Sequence, residues 1–198
     1  MNEVNVYINF ALYTVLGKTA EADGMMRLYG EEIRAVAAVL AHDFPIARVP
    51  LYRGVLLDPA VPYAHDPRLT FMSWSEDQGV AEWFACSRST VSSYVAEQSP
   101  HLRGYLLRRD APPPRVLFHH TWAAVFRGLA PLALVHPHMG AEGARQIAWS
   151  LRTQREVITE PVDGLEPMPA AHLDARALTA LERRLTPPHV AAAEGIRC

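Results

Sequence analysis

Three short stretches of this chain hold polar side chains in settings that point to chemistry. The first is Tyr52-Arg53-Gly54, inside the apolar run Leu51–Leu57. A guanidinium in such a run is costly to bury unless an anion meets it. A ligand phosphate suits it, because the guanidinium fork matches phosphate oxygens two at a time. Gly54 would let that ligand come close to the backbone. A snorkelling or ion-paired side chain is the better explanation of Arg53 when it is taken alone. The second stretch is Phe71-Met72-Ser73-Trp74-Ser75. Strand alternation puts Ser73 and Ser75 on one side. Ser75 is expected to cap the helix that follows; Ser73 has no such duty, which makes it the candidate hydroxyl. The third is Gln154-Arg155-Glu156-Val157-Ile158. Positions two apart in a strand face the same way, so Gln154 and Glu156 would present an amide and a carboxylate side by side. An ordinary solvent-facing strand is the plain alternative.

Other motifs fall away. Gly17-Lys18-Thr19 ends like a phosphate-binding loop, but Leu12 stands where that loop needs glycine. His136-x-His138 and His119-His120 offer imidazoles without a third ligand at useful spacing, so no metal is expected. Cys86, after Phe84-Ala85, reads as a small buried residue. Cys86 and Cys198 are too few for a disulfide framework or a four-cysteine zinc site.

The elements that must position these residues follow from periodicity. Met26, Tyr29, Ile33, Val36 and Leu40 recur at helical spacing and predict a helix from about Asp23 to Ala41, ended by His42-Asp43-Phe44-Pro45. Val4–Leu16 is apolar without a clean period and is read as helix. Strands are expected over Val49–Leu57, Leu69–Met72, Leu102–Arg109, Arg115–Phe118 and Arg152–Glu160. Ser75-Glu76-Asp77-Gln78 resembles a capping box opening a helix that buries Val80, Trp83 and Phe84. Ser87–Ser99 and His136–Gly143 read as loops, Trp122–Leu132 as helix, Pro161–Pro169 as linker and Asp174–Leu185 as the last helix. A helix followed by several short strands argues α+β, not a regular βαβ alternation.

In this order the three stretches resemble the mono-ADP-ribosyltransferase family, in its arginine–serine–glutamate branch. The likeness rests on Tyr52-Arg53-Gly54, on Phe71-x-Ser73-x-Ser75 with Val80-Ala81-x-x-Phe84-Ala85 behind it, and on Gln154-x-Glu156-Val157-Ile158. It spans about Leu51 to Glu160. Trp74 departs from the threonine of many relatives. The resemblance implies a single domain over 1–198, with a mixed β-sandwich core at about 51–160, an N-terminal helical region and a C-terminal helical appendage at 170–198. It implies an enzyme that splits NAD, its co-substrate, and transfers ADP-ribose without a metal. Glu156 would stabilise the positive charge that develops on the ribose and bond its 2′-hydroxyl. Ser73 would orient Glu156 and contact the nicotinamide ribose. Arg53 would hold an NAD phosphate, and the Gly54 backbone would contact the nicotinamide amide. Gln154 would meet the acceptor. Relatives that modify arginine usually carry glutamate there. Relatives with glutamine include clostridial exoenzymes that modify asparagine on Rho proteins and pierisin-like toxins that modify guanine in DNA. The resemblance thus points away from arginine and leaves a protein amide or a nucleobase as the expected acceptor, since an amide can donate to and accept from either. Trp149 would stack on a base or pack on a protein acceptor, with Arg145, Arg152 and Arg155 as a basic cluster around it. The nicotinamide-stacking aromatic is not fixed; Tyr94 lies in a suitable loop. An NAD glycohydrolase with the same site, and a non-catalytic module in which Arg53 and Glu156 form an ion pair, are the alternatives.

Composition sets the outer limits. With 198 residues, 49% of them hydrophobic and 20% charged, the chain can bury a core and is not a disordered tail. A net charge of −2 removes the argument for a nucleic-acid binder built on overall basicity, but not for an enzyme acting on nucleic acid through a local patch. No apolar run reaches the roughly 18 residues of a membrane span, and Met1–Asn5 carries no basic leader. A cytoplasmic protein is expected, with no membrane partner. It would act in the producing cell, belong to a toxin–antitoxin or phage-conflict system with an antitoxin or immunity partner, or be delivered by a non-classical secretion apparatus.

Overall fold

The computed structural model describes residues 2–85, 99, 101–110, 115–125, 147, 151–170 and 175–185. Helix α1 is Glu3–Val15, with Asn2 accepting the Val4 N–H at 3.0 Å as its cap. Val6, Tyr7, Phe10, Ala11 and Val15 are all buried, on more than one side of the helix. That explains why its sequence lacks an amphipathic period. Helix α2 is Thr19–Asp43, beginning earlier than its apolar stripe suggests and kinking at Tyr29, where φ is −133°. Of its expected stripe Met26, Ile33 and Leu40 are buried, joined by Ala22 and Ala37, while Tyr29 and Val36 are only partly buried against the same core.

The strands are β1 (Leu51–Leu57), β2 (Met72–Ser75), β3 (Arg103–Arg109), β4 (Val116–His119), β5 (Glu156–Thr159) and β6 (Met168–Pro169). Helix α3 is Gln78–Ala85, a 3₁₀ turn covers His120–Ala124, and α4 is Ala175–Leu185. The fold is α+β: one six-stranded antiparallel sheet, ordered β4-β5-β2-β1-β3-β6, with helices against it. Among the described residues the strands form this one sheet and not two separate layers. It is nearly cut in two, however. Between β1 and β2 the only register pair is Tyr52 opposite Ser75. On either side of that junction, β1 runs beside β3 from Leu51–Arg109 to Leu57–Arg103, and β2 runs beside β5 from Met72–Thr159 to Ser75–Glu156.

Each half has its own cover. Helices α1 and α2 pack on the β4-β5-β2 half through Phe10, Ile33, Phe118, Trp122 and Ile158. The Tyr7 hydroxyl donates to the Leu117 carbonyl at 2.8 Å, and Asp23 on α2 accepts from both the amide and the hydroxyl of Thr70. A second cluster, Leu51, Met72, Trp74, Leu107 and Val157, joins the halves. Helix α3 lies on the β1-β3 half at backbone distance. A Cβ on Gly54 would sit 1.9 Å from the Ala81 carbonyl oxygen, and one on Gly104 would sit 2.2 Å from that of Ala85. Helix α4 docks on the start of α3 through the Arg184–Asp77 ion pair at 2.9 Å and Leu181 beside Gly79.

Several expected boundaries move. The second strand is Met72–Ser75 and not Leu69–Met72, because Leu69 closes a turn onto the Asp66 carbonyl and Thr70 is held by Asp23. The strand expected over Arg152–Glu160 begins only at Glu156: residues 151–153 are helical, and Arg155 adopts φ +48°. The expected linker Pro161–Pro169 contains β6, which pairs with β3 at the sheet edge, where the missing N–H of Pro169 is tolerated. The helix expected over Trp122–Leu132 is a 3₁₀ turn as far as Ala124, and its remainder from 126 lies outside the described residues. So do His136–Gly143 and most of Ser87–Ser99. Among the described residues, no helix is long and apolar enough to cross a membrane.

The α3 contact generates a test. Gly54→Ala forces a methyl group into the Ala81 carbonyl, and overpacking of this kind costs roughly 1–3 kcal/mol. Thermal denaturation should show Gly54→Ala, and likewise Gly104→Ala, melting several degrees below the parent.

Candidate functional site

The gap between β1 and β2 opens into a cleft of about 320 Å³. That lies within the roughly 300–1,000 Å³ of small-molecule sites. Its walls come from β1 (Tyr52, Arg53), β2 (Ser73, Ser75), α3 (Val80, Ala81, Phe84), the turn before β5 with the strand itself (Gln154, Glu156), and the α1–α2 turn from Thr14 to Thr19.

Glu156 enters at the first position of β5, opposite Ser75, while Ser73 faces Ile158. The Ser73 hydroxyl reaches diagonally to donate to Glu156 Oε1 at 2.5 Å. A bond that short is typical of a hydroxyl on an ionised carboxylate. Burial pushes the Glu156 carboxyl up to about 7, against the lowering effects of the Ser73 hydrogen bond and the Arg53 charge. The folded protein therefore holds this proton to a higher pH than the unfolded chain, whose reference value is 4.5. Its contribution to stability is full below that value and declines as pH rises towards 7.

Arg53 sits where β1 and β2 part. Its Nη1 donates to the Ser73 carbonyl at 2.8 Å. Its Nε is buried and has no hydrogen-bond partner among the described residues. Burial pulls its pKa down while Tyr63 and Glu156 oppose the shift, so the cation is held beside the carboxylate. An orphaned buried donor calls for a partner, and an anionic ligand in the cleft would supply one. Among the described residues no ion pair joins Arg53 to Glu156, which the purely structural reading of the two would require.

Gln154 lies on the cleft wall with Glu156, though not as a strand neighbour. It ends a helical turn, and the left-handed Arg155 then swings the chain into β5. Ser75 is buried behind it. Its hydroxyl donates to the Gln154 carbonyl at 2.6 Å and accepts the Asp77 N–H at 2.9 Å. The helix cap expected of Ser75 belongs instead to Asp77, whose carboxylate accepts the Val80 N–H at 3.3 Å. Gly54 is not among the residues lining the cleft, and the space a side chain there would take is filled by α3, so the fold itself requires this glycine.

Sequence reasoning missed the α1–α2 turn, although Gly17-Lys18-Thr19 had marked it for a different reason. It also missed the aromatic walls Tyr52 and Phe84. Trp149, Arg145, Tyr94, Cys86, Cys198, His136 and His138 lie outside the described residues. Arg155, expected in a basic cluster for an acceptor, is instead paired with Glu76 at 3.2 Å.

Glu76 also supplies the third group that the His119-His120 pair lacks in sequence; together they form the described cluster that could hold a metal ion. The hydrogen bonds argue for a self-satisfied network. The Thr121 N–H points at His119 Nδ1, which places that ring's proton on Nε2, facing Glu76 Oε1 at 3.0 Å. The Arg155 guanidinium already brings positive charge to Glu76 Oε2.

Compared with protein-family models, with curated proteins and with solved structures, the chain finds no match in any of the three.

The site makes a prediction independent of any ligand. In a carbon-13 NMR titration the Glu156 carboxyl should titrate near pH 7. Removing the hydroxyl with Ser73→Ala should raise that midpoint by about one unit, the equivalent of one lost hydrogen bond.

Proposed function

We propose that this chain is a mono-ADP-ribosyltransferase that cleaves NAD and transfers ADP-ribose to a side-chain amide or a nucleobase. The observation that supports it is convergence: Arg53, Ser73, Gln154 and Glu156, from separate parts of the chain, line one cleft, with the Ser73 hydroxyl on the Glu156 carboxylate. These are the residues through which the sequence resembles the arginine–serine–glutamate branch.

The reaction follows from the groups present. The bond between the nicotinamide nitrogen and ribose C1′ breaks, and its electron pair leaves with neutral nicotinamide. Positive charge spreads over C1′ and the ring oxygen. Glu156 stabilises that charge only when ionised, and Ser73 fixes the direction in which it acts. Arg53 offers its unpartnered Nε and its charge to a phosphate. An acceptor nitrogen then bonds to C1′ and gives up a proton. Gln154, an amide on the cleft wall, is suited to orient an amide or a base edge. That placement favours transfer over hydrolysis, since water needs no such partner.

Purified protein incubated with a bacterial lysate and NAD labelled on its adenosine side tests the proposal. Nicotinamide should be released and label retained in a protease-sensitive or nuclease-sensitive form, which assigns the acceptor. Glu156→Gln should lower kcat by about 10²–10³ while NAD affinity changes little. In the parent, kcat/KM should rise with pH through about 7 and then level off, as Glu156 ionises. Release without retained label would make the chain a glycohydrolase. Neither release nor NAD binding would leave a binding module and end the proposal.

A further inference from the structure

We propose that Glu76, marked in the sequence only as part of a helix-capping stretch, is a positioning residue that holds the Gln154–Arg155 turn so that Gln154 and Glu156 face one cleft. Its consequence for turnover rests on the function proposed above; its consequence for geometry does not.

The turn needs holding. Arg155 sits between the two cleft residues at φ +48°. A side chain in the left-handed region is disfavoured by its Cβ crowding the following carbonyl, and the conformation persists only where its surroundings over-determine it. If residue 155 relaxed to negative φ, the start of β5 would rotate, and Glu156 would leave its place opposite Ser75 and within reach of Ser73.

Glu76 grips that residue twice. Its backbone N–H donates to the Arg155 carbonyl at 3.3 Å, and its Oε2 pairs with Arg155 Nη2 at 3.2 Å. It is itself anchored from β4, which lies across β5 from β2. His119 Nε2 lies 3.0 Å from Oε1 and His120 Nε2 lies 2.9 Å from Oε2, both at the end of β4. The two imidazoles stack with ring centres 4.6 Å apart. Glu76 and His119 are only 8% and 3% exposed at the side chain, so these are fixed contacts and not a solvated surface pair. The Arg155 side chain is 52% exposed, so the buried histidine contacts fix Glu76, and Glu76 holds Arg155 through its backbone and side-chain bonds together. Ser75, next in the chain, completes the clamp through its bond to the Gln154 carbonyl. The chain from β4 to Glu76 to Arg155 is therefore continuous and ends at the Ser73–Glu156 bond.

The test compares crystal structures and nicotinamide-release kinetics of the parent, Glu76→Gln, Arg155→Gly and the double variant E76Q/R155G. Glycine adopts positive φ without a side-chain penalty, so it should make the turn independent of Glu76. In E76Q, residue 155 should leave the left-handed region and the Ser73–Glu156 distance should exceed hydrogen-bond reach. Its kcat should fall about tenfold or more, as for a misplaced reacting group, with KM for NAD within about twofold. Both geometry and kcat should return in E76Q/R155G; if E76Q alone does not fold, recovery of folding only with R155G present carries the same meaning. An E76Q structure with residue 155 unmoved overturns the proposal, as does a loss that R155G does not restore or one carried by KM alone. A parent that releases no nicotinamide overturns the proposed function, and the structures alone then decide the role of Glu76.

Discussion

The sheet is joined across its middle by one register pair, Tyr52 opposite Ser75, and the cleft exists because pairing stops there. To one side, β1 stays with β3 along its whole length; to the other, β2 stays with β5. The halves part because each is committed to a different cover. Helix α3 lies close enough on the β1-β3 half to demand glycine at 54 and 104, while α1 and α2 cover the β4-β5-β2 half. Arg53 occupies the angle between them and bonds the Ser73 carbonyl. The α1–α2 turn closes the cleft from above the gap, which ties the N-terminal helices to the site as well as to the core.

The two acids beside that junction are tuned in opposite directions. Burial raises Glu156 to about 7, and one hydroxyl and the Arg53 charge offset only part of the effect. Burial also pushes Glu76 upwards, but the His120 and His119 hydrogen bonds outweigh it and hold the carboxyl below its ordinary value. Glu76 is thus a permanent anion suited to structural work, whereas Glu156 changes charge near neutrality. Divergent environments for neighbouring carboxyl groups are a common way for one fold to separate a reactive acid from a supporting one. His119 agrees with this division: burial and the neighbouring His120 lower its pKa, so it serves Glu76 as a neutral donor.

The sequence was sufficient for properties carried by side-chain type and local period. The stripe Met26, Ile33, Leu40 faces the core, and Pro45 follows the end of α2. Ser73 and Ser75 fall on one side of β2 because a strand alternates. Arg53, Ser73, Gln154 and Glu156 stand out in the sequence as an ordered set, although all but Ser73 have an ordinary explanation when taken alone, and all four line the cleft. What local pattern could not supply was anything fixed by a distant partner. The left-handed Arg155, which breaks the strand expected across it, is held by Glu76 at the end of the neighbouring strand β2, 79 residues away in the chain. Gly54 looked like room for a ligand; only α3, folded back onto β1, makes it room for a helix. The His119-His120 pair lacked a third group in sequence because Glu76 lies 43 residues from His119 and meets it only when β5 brings β4 and β2 into one sheet. Residue chemistry is a local property and can be read along the chain, whereas burial, backbone strain and the pKa of a carboxyl depend on which remote segments exclude water around it. Only the tertiary structure decides that.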